Sequence, residues 1–131
     1  MTSTAAPQVP AITCTRAFAG LPESASAARS WVAGFFPVPT AAADAALLTS
    51  ELVTNAIVHS ASRLPGGQVT VRVRAMDDLV RVDVTDQGAV PPDLTAPRGP
   101  GLGLVLVAAL ADVFGADGPD RWFALRTGGA S

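Results

Sequence analysis

The chain contains no lysine: all nine basic side chains among its 131 residues are arginines. Two well-known phosphate-binding arrangements need a lysine, namely the P-loop and the lysine-dependent protein kinase scaffold. The sequence therefore excludes both. A triphosphate bound to this chain would have to be neutralised by a metal ion, by backbone N–H groups or by arginine.

Cysteine and histidine are also rare, and the net charge is small. With one cysteine and one histidine, neither an internal disulfide nor a Cys/His zinc site is expected. The net charge of −2 and the charged fraction of 15% argue against a nucleic-acid-binding surface. Glycine, proline or polar residues interrupt the apolar runs before about 18 residues, so no membrane span is expected. These features predict a soluble cytoplasmic protein.

Apolar residues make up 49% of the chain, enough for a core, and the length suits one domain. We expect residues 1–10 to be disordered and residues 11–127 to form the domain. Strictly alternating valines predict two strands of a hairpin, at Val69–Val73 and Val80–Val84.

Further elements follow from periodicity and from turn residues. We predict a short strand at 12–18, a helix from Pro22 to about Phe36, and a second helix from about 41 to 60 that Thr40 caps. A third helix through about residue 111 and a last strand at 121–126 complete the order β-α-α-β-β-α-β. This order predicts an α+β fold: a two-layer sandwich of a mixed, mostly antiparallel sheet with helices on one face.

The second predicted helix carries polar residues four apart, at Glu51, Asn55 and His59. Such residues stack on one helical face. Glu51 is a candidate general base, and the amide oxygen of Asn55 is a ligand type that Mg²⁺ accepts. The solvent side of an amphipathic helix explains the same pattern, and for this segment alone we favour that explanation. We assign no catalytic role to His59.

Asp86, Gln87 and Gly88 follow the second hairpin strand. A carboxylate at a strand end can accept a hydrogen bond from the amino group of adenine, and a nearby glycine leaves room for the ring. A simple polar turn is the better explanation if this segment is considered alone.

Glycines at 99, 101 and 103 precede the third predicted helix. Glycines at a helix start let backbone N–H groups approach phosphates, although this spacing differs from the dinucleotide-binding fingerprint. Packing of a helix start explains the run equally well. Each of the three motifs has a simple structural explanation, but all three explanations would have to hold together to dismiss a nucleotide site. We therefore predict a nucleotide site.

With these residues identified, the chain resembles the GHKL ATPase superfamily, whose nucleotide-binding unit is the Bergerat fold. It looks most like the small stand-alone anti-sigma-factor serine/threonine kinases. Glu51–Ala56 resembles the N-box, Asp86–Gly88 the first glycine box and Gly99–Leu104 the second. Arg16–Phe18, followed by the helix around Trp31, resembles the first strand and helix.

The resemblance implies ATP and Mg²⁺ as ligands. Glu51 would be the catalytic base, Asn55 would coordinate Mg²⁺, Asp86 would bind the adenine amino group, and Gly88 would leave space for the ring. The segment 89–98 would form a lid. The phosphate contacts would come from Arg98, Gly99, Gly101, Leu102, Gly103 and Leu104.

The resemblance further implies a kinase for an anti-anti-sigma partner, a sigma factor as a second partner, and a homodimer by analogy. Val90 stands where the family often has glycine, Pro100 removes a possible amide donor, and the last strand lacks a clear copy of the threonine next to adenine. A non-catalytic, partner-binding module is therefore the alternative, and a plain ATPase is a third reading. A histidine kinase is not expected.

Overall fold

The computed structural model describes residues 12–60, 64–76, 78–88 and 107–127. Residues 107–110 are helical. The segment 1–10, predicted to be disordered, lies outside the described residues. The elements that the structure describes in full are β1 (Ile12–Ala19), α1 (Ser24–Ala33), α2 (Pro39–His59), β2 (Gln68–Ala75), β3 (Leu79–Thr85), β4 (Val113–Asp117) and β5 (Asp120–Arg126).

The strands form one sheet in the order β1-β2-β3-β5-β4. Within the described ranges, each pair of neighbouring strands is antiparallel. Alternate residues of β2, β3 and β5 are buried in a core that also contains the apolar faces of α1 and α2. The predicted α+β sandwich, with a mostly antiparallel sheet and helices on one face, is therefore confirmed.

The helix α2 begins earlier than predicted, and its cap is a different residue. Pro39 occupies the first turn, where its fixed φ suits a helix and its missing N–H is not needed. Val38 is the N-cap, with no side-chain hydrogen bond. The prediction that Thr40 caps this helix is wrong, because Thr40 already lies inside the helix.

Packing in the core accounts for the apolar composition of α2. By length and a mean hydropathy of 1.2, α2 is a candidate membrane span, contrary to the expectation from interrupted apolar runs. Its buried apolar side chains, however, pack between α1 and the sheet. The buried apolar residues of this helix are Ala45, Leu48, Leu52, Val53, Ala56 and Ile57.

The strand β4 was not predicted. It is a short strand at one edge of the sheet, and it pairs with β5 through a turn at Gly118 and Pro119. Gly115, in its centre, lies opposite Trp122, and an ideal Cβ on Gly115 would lie 2.7 Å from the indole. The large side chain of β5 therefore takes the space that a side chain on β4 would need. The first helix is also shorter than predicted, ending at Ala33 with Gly34 as its C-cap.

The sheet face opposite the helices carries a charged cluster. Asp83, only 4% exposed, accepts hydrogen bonds from Arg74 at 3.0 Å and from Arg81 at 2.8 Å. The guanidinium of Arg81 also lies 4.0 Å from the ring centre of Trp122, within the range of a cation–π contact. These contacts bury a carboxylate on a face that strand alternation leaves polar.

Asp120 lies beside this cluster. Burial, together with a hydrogen bond and the charge of Asp83, raises the pKa of Asp120 to about 6. Burial acts to raise the pKa of Asp83 as well, but hydrogen bonds from Arg81 and Asp120 and the charges of Arg81 and Arg74 hold it below its usual value. Below about pH 6, where the pKa of Asp120 lies, this pair therefore holds its proton on Asp120 and leaves Asp83 ionised.

Candidate nucleotide-binding site

A cavity of about 190 Å³ lies between the second half of α2 and the ends of β3 and β5. Leu52 and Ala56 of α2 and Val84 of β3 form its apolar part. Whole-ligand pockets measure roughly 300–1,000 Å³, so the described part of this cavity can hold only a portion of a nucleotide. Such an apolar wall with a few polar groups suits a planar base.

The polar residues of the cavity come from separate elements. Asn55 and His59, one turn apart on α2, line it together with Asp86 and Arg121. The structure thus brings together Asn55 and Asp86, which are 31 positions apart in the sequence. This is the convergence that a nucleotide site built from these two motifs requires.

The turn after β3 holds the carboxylate of Asp86 in place. Its backbone N–H donates to the carbonyl oxygen of Pro119 at 3.1 Å, and its Oδ1 accepts from the N–H of Gly88 at 2.7 Å. Gly88 has φ +87°, a conformation that favours glycine. An added Cβ there would meet no atom within 4 Å, so the backbone conformation accounts for this glycine.

The other predicted site residues either do not line this cavity or lie outside the described residues. Glu51, half-buried, lies one helical turn before Asn55 and does not line the cavity in its described part. The predicted lid 89–98 and the second glycine box lie outside the described residues. The predicted contacts that fall there are Arg98, Gly99, Gly101, Leu102, Gly103 and Leu104.

Two polar residues of the cavity were not assigned to a site from the sequence. His59 lines it although no role was given to it, and Arg121 of β5 was predicted only as the start of the last strand. Arg121 shares strand parity with Phe123 and Leu125, both buried in the core. A charged residue in register with core residues is the one sequence signal that could have pointed to Arg121.

The available donors fit a magnesium nucleotide. Within the described ranges, no group of three or more His, Cys, Asp or Glu residues could hold a metal ion by itself. Mg²⁺ in nucleotide sites needs no such cluster, because phosphate oxygens and waters supply most of its ligands. A single amide oxygen, such as that of Asn55, is sufficient on the protein side.

Most of the chain is similar in sequence to known proteins. The family model of the histidine kinase-like ATPase domain matches residues 18–121. The anti-sigma F factor of Geobacillus stearothermophilus is 34% identical over 87 residues, and the match covers 63% of this chain and 60% of that protein. The anti-sigma F factor of Bacillus licheniformis is 33% identical over 87 residues, with the same coverage.

The chain spans only 60% of the length of these relatives, so the comparison concerns the shared domain. The match to the family model extends from β1 to β5 and includes α2 and the turn at Asp86. The chain belongs to the family of histidine kinase-like ATPase domains.

Proposed function

We propose that this chain binds Mg-ATP and transfers the γ-phosphoryl group to a serine or threonine of a protein partner. The observation that carries the proposal is the shared cavity of Asn55 and Asp86, in a member of the histidine kinase-like ATPase family. The similarity to proteins named anti-sigma F factor supports a protein as the phosphoryl acceptor.

Each residue in the cavity has a distinct task in this proposal. Asp86 accepts a hydrogen bond from the adenine amino group, and Gly88 permits the turn that positions this carboxylate. The amide oxygen of Asn55 holds Mg²⁺, which offsets charge on the phosphates. The second glycine box, with Arg98, provides the other phosphate contacts.

Glu51 is the proposed general base. It lies one turn from Asn55, a distance of about 6 Å along the helix axis. The hydroxyl proton of the acceptor passes to Glu51 while the hydroxyl oxygen bonds to the γ-phosphorus. The bond from that phosphorus to the β–γ bridging oxygen breaks, and ADP leaves. Because Glu51 lies beside Asn55 but outside the described cavity, it can accept the proton of a hydroxyl that approaches from outside the cavity.

The proposed acceptor is an anti-anti-sigma protein, and the proposed second partner is a sigma factor. A nucleotide that binds more tightly to one complex would shift the chain from one partner to the other. The proposal places this switch in the cytoplasm, in a homodimer that regulates transcription.

Calorimetry with Mg-ATP tests the nucleotide site, and labelling with γ-phosphate-labelled ATP tests transfer to a co-purified partner. We expect Glu51→Gln to bind ATP normally and to lose transfer by about 100-fold or more. Glu23→Gln is the matched control, since Glu23 is the only other glutamate and is exposed at the start of α1.

Each negative result has a separate meaning. A titration without heat or saturation at millimolar ATP would contradict the nucleotide site. Normal ATP binding without labelling of any partner would establish the alternative, a non-catalytic module that binds its partner.

A further inference from the structure

Arg121 lies on the wall of the cavity, close to Asp86. In the antiparallel pairing of β3 with β5, its direct partner is Val84, which is two residues before Asp86. Both Asp86 and Arg121 line the same cavity. Within the described ranges, no carboxylate lies within ion-pair distance of the Arg121 guanidinium. Among the described residues, Arg121 is thus a cation of the cavity that forms no ion pair.

The turn between β4 and β5 bonds to the side chain of Arg121 and to the backbone of Asp86. Nη1 of Arg121 donates to the carbonyl oxygen of Gly118 at 2.6 Å, and the N–H of Asp86 donates to that of Pro119 at 3.1 Å. The bonds of Arg121 to described residues, including a longer one to the Asp120 carbonyl, all start from Nη1. Within the described part of the chain, Nε and Nη2 have no acceptor, so they can donate to a ligand.

Asp86 and Arg121 supply the two kinds of hydrogen-bonding group that one edge of adenine requires. The adenine amino group is a donor, and the ring nitrogens on either side of it are acceptors. A carboxylate and a guanidinium in one cavity offer an acceptor and donors, which are the complementary groups. A phosphate fits this end of the cavity less well, because the carboxylate of Asp86 would repel it.

We propose that Arg121 is a base-recognition residue, which donates a hydrogen bond to a ring nitrogen of adenine while Asp86 accepts one from the amino group. The assignment rests on the nucleotide site proposed above. It gives the β4–β5 hairpin a direct part in ligand selection.

Adenosine, ADP and ATP, titrated by calorimetry, separate a base contact from a phosphate contact. We expect Arg121→Leu to weaken all three by the same factor, about tenfold, as for a lost hydrogen bond to a charged group. Arg126→Leu is the matched control on the same strand, since its side chain is 70% exposed and pairs only loosely with Asp78 at 3.7 Å. This control should bind all three ligands normally.

The alternatives give different patterns. A loss with ATP but not with adenosine would mean a phosphate contact and would overturn the assignment. Unchanged binding of all three ligands by Arg121→Leu would also overturn it while leaving the ATP site intact. A wild-type chain that binds none of them would overturn the ATP site and this assignment together.

Modified nucleotides test the contact without depending on the fold of a variant. We expect the wild-type chain to bind either 1-deaza-ATP or 7-deaza-ATP about tenfold more weakly than ATP, because one ring nitrogen is replaced by C–H. In Arg121→Leu that difference should disappear. Equal affinity of the wild type for ATP and both analogues would contradict a hydrogen bond to a ring nitrogen.

Discussion

The backbone N–H of Asp86 donates a hydrogen bond to the carbonyl oxygen of Pro119 at 3.1 Å. This bond joins the end of β3 to the turn between β4 and β5. The carboxylate of Asp86 is in turn fixed by the N–H of Gly88. The position of this carboxylate, which we propose binds adenine, therefore depends on the β4–β5 hairpin.

Asp86→Asn should weaken ATP binding by about tenfold or more without unfolding the protein. The amide keeps an oxygen for the N–H of Gly88 but can present its NH₂ to the adenine amino group, so two donors would face each other. Calorimetry measures the affinity, and thermal unfolding checks the fold. Asp78→Asn is the control, since Asp78 is 64% exposed. Unchanged ATP affinity in Asp86→Asn would reject the adenine assignment.

Asp120 makes the stability of the protein depend on pH in a defined direction. Its pKa in the folded protein, about 6, lies above the ordinary value of 3.8, so between these values the folded state binds more protons than the unfolded state. Stability linked to Asp120 is therefore present below about pH 4 and is lost as the pH rises through about 6.

Asp120→Asn should remove this loss. The amide retains an acceptor for the hydroxyl of Thr85 and a donor for Asp83, but it carries no charge. We expect the variant to be more stable than the wild type at pH 7 by about 1 kcal/mol, after solvent screening at a partly exposed site is considered. Urea unfolding at pH 4 and pH 7 measures this difference. The control Asp78→Asn should show the same change of stability with pH as the wild type. If Asp120→Asn also did so, Asp120 would be ionised at both pH values and the prediction would be wrong.

The N-terminus of α2 can be stabilised at Val38. Its side chain cannot accept a hydrogen bond from the free N–H groups of the first turn. Val38→Ser would supply that acceptor and should stabilise the fold by about 0.5–1 kcal/mol in urea unfolding. Thr40→Ala should change stability by less than about 0.5 kcal/mol, because Thr40 lies within the helix. A large loss in Thr40→Ala would show that Thr40 is the cap after all.

Gly115→Ala should destabilise the protein by about 2 kcal/mol. Its Cβ would stand 2.7 Å from the indole of Trp122, so the ring would have to move and lose its contact with Arg81. Gly34→Ala is the control, because its φ of −64° suits alanine and the nearest atom is 3.4 Å away. Thermal unfolding and the indole emission of both variants measure the effect. Equal stability of the two variants would show that Trp122 moves aside at no cost.

Local pattern predicted the centre of the sheet well. The valines of β2 and β3 alternate strictly, and the observed register places Val71 opposite Val84 on the core face. The strand β4 carries no such signal: it has a glycine at its centre, and the side chain of Phe114 is 45% exposed. Pairing with β5 holds β4 in the sheet. Such pairing depends on the whole fold, so the five residues of β4 alone do not reveal it.

The candidate site was predictable to the extent that its residues belong to recognisable motifs. Asn55 and Asp86 were identified from a helical ladder and a strand end, and the structure places both at one cavity. Arg121 joins them because β5 inserts next to β3, although β4 precedes β5 in sequence. Strand order of this kind is set by the assembly of the whole core, so the cavity wall on that side could not be identified from local sequence.

The helix α2 has consequences for how this protein can evolve. Leu52 and Ala56 belong both to the core and to the cavity wall, and they alternate along the helix with Glu51 and Asn55. Substitutions that retune ligand affinity from this side will also change the folding energy, so selection for one property constrains the other. Divergence in ligand preference among descendants of this chain should therefore accumulate on the β4–β5 hairpin, whose exposed positions tolerate exchange.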